Sequence, residues 1–119
     1  YLYEIVTDAG LRVIDCRAII RGVVEDLQKG MDIKSISIKF HETVSAIIAD
    51  ICKELRETSA INNVALSGGV FQNMMLLRRA FELLTEAGFK VHVHSHVPPN
   101  DGGISLGQAI IAAAQLQEV

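Results

Sequence analysis

Tryptophan is absent from this 119-residue chain, and four Phe and two Tyr are its only aromatics. Aliphatic residues must therefore do most of the work of any core. The material suffices, since 50% of the residues are hydrophobic, although a chain of this size lies near the lower edge of what one core supports. Positive charge is not in excess either: 11 Lys and Arg stand against 14 Asp and Glu, a formal net charge of −3. That balance gives no general attraction to nucleic acid or to an anionic membrane. No apolar run approaches the roughly eighteen residues of a membrane span, and no signal-peptide pattern is present. A cytoplasmic location with neither membrane nor nucleic-acid partner is expected. Cysteine is scarce. Cys16 and Cys52 lie far apart in helix-like patterns, which predicts reduced core thiols rather than a disulfide or a metal pair. The chain opens at Tyr1, without Met and inside a strand-like pattern, as expected of a piece of something longer.

What is present reads as one α/β domain over residues 1–119. "LYEIV" and "LRVID" flank "TDAG", two β-rich runs around a short loop ending in Gly, which predicts a hairpin. Asp15 is placed to cap a helix running to about Gly30, where a Gly ends it. A second helix is expected from near Asp32 to about Thr58. Its Phe40, Val44, Ile47, Ile48, Ile51 and Leu55 form one continuous helical face. "NVALS" predicts a short strand covered on both sides. A helix from about Phe71 to Glu86 follows, with Leu77, Ala80, Phe81 and Leu84 inward. Then come the strand "KVHVHS", the loop "HVPPNDGG" and a closing helix, "ISLGQAIIAAAQL", apolar nearly all round. The order is β-β-α-α-β-α-β-α, and the last two strands, joined by one helix, should be parallel.

Parallel neighbours would bring "SGGVFQN" and "PPNDGG" to the same sheet edge, where open α/β folds hold ligands. Each loop pairs glycines with a helix start, which offers N–H groups and a positive dipole end to an anion. Two such loops would suit a nucleotide phosphate chain. Asp101 would then serve a cation accompanying the phosphates, because hard cations take carboxylate oxygen. A structural reading stands beside the functional one at each position. Gly68 and Gly69 would equally allow close strand–helix packing, Asp101 would equally cap a helix, and Asn73 would be a cap or a surface residue. Neither G-x-G-x-x-G nor a P-loop Lys is present. His92, His94 and His96 alternate, as metal ligands on one strand face would, but a half-exposed strand looks the same. His41 reads as a polar boundary residue of the long helix.

Taken together, "LSGGVFQNMMLL" and "VPPNDGGISLGQAIIA" resemble the end of the Kae1-like domain of the HypF family, the carbamoyltransferases that mature nickel–iron hydrogenases. The dense match covers about residues 64 to 112, with "KFH" at 39–41 fitting more loosely. The resemblance implies the C-terminal lobe of an actin-like ATPase fold with a mixed sheet. It implies that Gly68 and Gly69 approach the nucleotide, that Asn73 contacts it or its acylated form, and that Asp101 is a ligand of the active-site metal, whether iron, zinc or magnesium. It implies that the parent protein uses carbamoyl phosphate and ATP to make carbamoyl-adenylate, and passes the carbamoyl group to the C-terminal Cys of HypE. The family's other metal ligands form a His-x-x-x-His motif in the preceding, N-terminal lobe. That motif is absent here, so the chain alone should not turn over. A related small-molecule or tRNA-modifying enzyme, or a non-catalytic nucleotide-binding module, remains open at this point.

Overall fold

The computed structural model describes residues 1–117. The elements run β1 (Glu4–Asp8), β2 (Leu11–Asp15), α1 (Arg17–Gln28), α2 (Ile33–Ser59), β3 (Asn63–Leu66), α3 (Met74–Glu86), β4 (Lys90–Val93) and α4 (Ile104–Gln117), which is the predicted order. Short 3₁₀ turns at Gly69–Gln72 and Asp101–Gly103 precede α3 and α4. β1 and β2 pair antiparallel and β3 and β4 pair parallel, with Val64 opposite Val91 and Ala65 opposite His92. Both kinds of pairing are thus present, but they are divided between two two-stranded sheets rather than joined in one.

The core is small and mostly aliphatic, as the composition suggests. Ala49 of α2, Leu66 of β3, Ala80 and Leu84 of α3 and Phe89 form one buried cluster. α2 is held at its start by Asp32, whose carboxylate accepts from the Ser35 N–H. That bond satisfies one of the orphan donors of the first turn. Farther along, the phenol of Tyr3 donates to Asp50 at 2.5 Å and Arg12 pairs with Glu54 at 3.1 Å, so the hairpin leans on α2.

Several expectations are corrected by packing. Along the α2 stripe Ile47 is buried, but Phe40 and Leu55 are exposed, because the helix is longer than the surface that covers it. Phe81 of α3 is likewise exposed. β3 is covered on one face only: Leu66 is buried while Ala65 is exposed. Cys16 is exposed and is no core thiol. Cys52 is half-buried beside the core, and burial pushes its thiol pKa up. Both cysteines are free, as expected. α4 runs away from the core with Ile110, Ile111 and Leu116 all exposed. The radius of gyration is accordingly 17.5 Å, against roughly 13.5 Å for a compact chain of this length. No helix among the described residues is long and apolar enough to cross a membrane.

Candidate functional site

The parallel β3–β4 pair brings the two glycine loops to one edge, and a backbone bond joins them. The Gly68 N–H donates to the Pro99 carbonyl at 2.7 Å. A Cβ placed on Gly69 would lie 3.9 Å from Cβ of Asn100. Gly68, Gly69 and the residue preceding Asp101 are therefore neighbours across the edge.

The two glycines of the first loop differ in kind. Gly68 sits at φ 108° and ψ 157°, a backbone region that a side chain makes costly. Gly69 has no positive φ, and an added methyl there would meet only that ordinary 3.9 Å contact. Close packing of strand on helix, the structural alternative for this pair, is not what the geometry shows. Gly68 serves the turn, and Gly69 leaves open surface beside it. The N–H groups of Gly69 and Val70, at the start of the 3₁₀ turn, have no hydrogen-bond partner among the described residues.

The second loop is built the other way. Its glycines are there for space: a Cβ on Gly102 would come within 3.1 Å of the Asn100 side chain and of Pro98, and one on Gly103 within 3.0 Å of the Pro98 carbonyl. Three of its amides are already committed. Gly102 N–H donates to the Asn100 side chain, Gly103 N–H to the Asn100 carbonyl, and Ile104 N–H to the Asp101 carbonyl. This loop thus adds the Asp101 carboxylate to the edge, with the amides of Gly102, Gly103 and Ile104 engaged within it. The cap is Asn100, not Asp101, and the Asp101 carboxylate is exposed without a hydrogen bond or ion pair among the described residues.

α3 starts at Met74, three residues later than predicted, because Gly69–Gln72 coils as a 3₁₀ turn and Asn73 then caps the helix. The Asn73 side-chain oxygen accepts from the N–H groups of Met75 and Leu76 at 3.1 and 3.3 Å. Its amide nitrogen reaches Nε2 of His41 at 2.7 Å. His41 meets a candidate site residue in a way that periodicity hid, since its position on α2 reads only as a helix boundary. The loose "KFH" similarity was the one signal pointing to it.

The alternating histidines do not gather. His92 meets Asn63 at 3.1 Å, His94 lies beyond the end of β4 and meets the Ser67 hydroxyl at 2.8 Å, and His96 is in the loop. No group of three His, Cys, Asp or Glu side chains able to hold a metal occurs among the described residues. Asp101 suits one position around a hard cation; a full shell needs donors from elsewhere.

The family model described as the second subdomain of the carbamoyltransferase Kae1-like domain matches residues 1–108. The carbamoyltransferase HypF of Synechocystis is 33% identical over 97 residues, 82% of this chain and 12% of that protein. That of Rhodobacter capsulatus is 36% identical over 77 residues, 65% of this chain and 10% of its own length. A crystal structure of full-length HypF in the phosphate- and nucleotide-bound form superposes with a TM-score of 0.92 at 49% identity, over 98% of this chain and 15% of that one. The chain spans only a small part of the relatives it matches.

Proposed function

The chain belongs to the carbamoyltransferase Kae1-like family, as the second subdomain of that domain, and from that premise we propose that it forms one wall of the nucleotide site in a cytoplasmic HypF-type carbamoyltransferase. The observation that carries this reading is Gly69. Neither its backbone conformation nor its neighbours require a glycine, yet it stands bare beside two N–H groups that are unpaired among the described residues. A phosphate approaching the backbone accounts for both facts.

In this reading the first loop binds. The N–H groups of Gly69 and Val70 donate to phosphate oxygens of ATP, while Gly68 turns the chain so that they face outward. The second loop contributes the Asp101 carboxylate to a divalent cation, with the remaining ligands supplied by the preceding lobe of the same protein. Such a cation, when bound, would supply Lewis-acid polarisation of the oxygens it meets. Asn73, fixed by its cap bonds and by His41, keeps one amide hydrogen for the nucleotide or its acylated form. The parent protein then uses carbamoyl phosphate and ATP to make carbamoyl-adenylate, releasing phosphate and pyrophosphate, and transfers the carbamoyl group to the C-terminal Cys of HypE, whose thiol displaces AMP. The chain alone is expected to be inactive, since it holds one cation ligand and one side of the cleft.

Pyrophosphate release from ATP by the full-length protein, with and without carbamoyl phosphate, tests this. Release should require carbamoyl phosphate and collapse in Asp101→Asn. Release unaffected by that substitution would remove Asp101 from the site, and release indifferent to carbamoyl phosphate would overturn the assigned reaction.

A further inference from the structure

Between the core and the loop edge lies a chain of hydrogen bonds whose directions are all determined. The Asn73 side-chain oxygen accepts two backbone N–H groups of α3, so its other atom, 2.7 Å from Nε2 of His41, is the NH₂ group. An amide NH₂ only donates. Nε2 of His41 therefore accepts and carries no proton. On the other side of the ring, Nδ1 lies 2.7 Å from the carbonyl of Ser37 one turn back on α2. A carbonyl only accepts, so Nδ1 holds the proton. These contacts fix the ring's orientation on the helix it stands on, in the manner of an imidazole fixed through its second nitrogen.

This places a pin at the far end of the first loop. At the near end the loop is held by β3 and by the bond from the Gly68 N–H to Pro99. At the far end Asn73 closes the 3₁₀ turn through its N–H to the Val70 carbonyl at 3.1 Å, and its side chain is tied to His41. Between the pins lie Gly69 and Val70, whose N–H groups the nucleotide reading uses. α2 is a rigid base, with Thr43, Ser45, Ile47 and Ala49 buried in the turns that follow His41.

We propose that His41 is a positioning residue for the nucleotide loop, acting through the Asn73 side chain. The proposal rests on the nucleotide reading above. Its substance is that an acceptor at the position of Nε2, rather than the ring's bulk, sets the loop. Helix capping alone would keep Asn73 at the start of α3, but it would leave the side-chain amide, and with it the end of the turn, free to swing.

The test is ATP binding to the full-length protein by calorimetry. His41→Leu removes the acceptor and keeps comparable bulk, and His41→Lys presents only donors. Both should weaken ATP binding about three- to tenfold, the range expected for one lost hydrogen bond. His41→Gln, whose side-chain oxygen can stand where Nε2 does, should restore binding to within about twofold. In an Asn73→Ser background, which keeps a helix cap but removes the amide donor, His41→Leu should change binding less than about twofold, because the interaction it disrupts is already gone. Leu or Lys variants binding like the wild type would overturn the proposal while leaving the nucleotide reading intact. So would a Gln variant as weak as Lys, or an equal loss in the Asn73→Ser background. A wild-type protein that binds no ATP would overturn both.

Discussion

Substituting alanine for each of the two adjacent glycines should separate fold from function. At Gly68 the backbone stands at φ 108° and ψ 157°, which a Cβ disfavours by about 1–3 kcal/mol. No neighbour lies within 4 Å of the added methyl, so the whole cost is conformational and packing cannot relieve it. At Gly69 the same methyl meets one ordinary contact, 3.9 Å from Asn100, and φ is not positive. Reduced freedom of the unfolded chain then makes the change neutral or slightly stabilising, by up to about 1 kcal/mol. ATP binding should respond in the opposite order to stability at Gly69. A methyl on the surface the phosphates approach should weaken binding by about tenfold or more, comparable to overpacking a filled site. Urea denaturation of the chain followed by circular dichroism gives the first quantity, and calorimetry on the full-length protein gives the second. Gly69→Ala that destabilises as much as Gly68→Ala would refute the geometric assignment. Gly69→Ala that binds ATP like the wild type would refute the functional one.

Leu84 is fully buried at the centre of the core, so Leu84→Ala should cost about 2–5 kcal/mol in the same denaturation experiment. Acid should destabilise the chain through its aspartates. Asp15 is drawn down to about 2 by its hydrogen bonds from Arg17, and Asp26, Asp32 and Asp50 are lowered chiefly by hydrogen bonds from Lys39, Ser35 and Tyr3. Folded values below the unfolded 3.8 mean that the unfolded state binds more protons as pH falls. The stabilisation is therefore complete above roughly pH 5 and lost as pH drops through the folded values. Asp50→Asn should flatten that acid limb in pH-dependent denaturation. The exposed apolar residues of α4, together with those of the α1–α2 groove such as Ile20, Ile33 and Phe40, should make the isolated chain self-associate. Ile111→Glu should lower the mass seen by light scattering, and a wild-type monomer at high concentration would refute this.

Local chemistry was legible in the sequence where a residue acts on its own neighbours. The second helix starts beside Asp32 as expected, and the element order follows from periodicity and glycine breaks, but the cap expected at Asp15 falls instead on Cys16, which makes no side-chain cap bond. Burial was less legible. Phe40, Leu55 and Phe81 carry the right spacing for a core face, but spacing gives the direction of a side chain and not whether anything lies there to cover it. Caps inside tight loops were misread by one residue, since Asn100 and Asp101 are chemically equivalent candidates and only the 3₁₀ geometry selects Asn100. The glycine pair was ambiguous for the same reason, because the letter G does not distinguish a positive φ at Gly68 from open space at Gly69. The His41–Asn73 bond joins residues 32 apart, and no periodicity in one sequence reports such a pairing.

The nucleotide reading is tested most directly by hydrogen exchange of the full-length protein with and without ATP. Gly69 and Val70 have N–H groups without partners among the described residues and should exchange rapidly alone and slow markedly when ATP binds. The amides of Gly102, Gly103 and Ile104 are already bonded within their loop and should change far less. ATP binding that leaves exchange at Gly69 and Val70 unaltered would contradict the claim that this turn holds a phosphate.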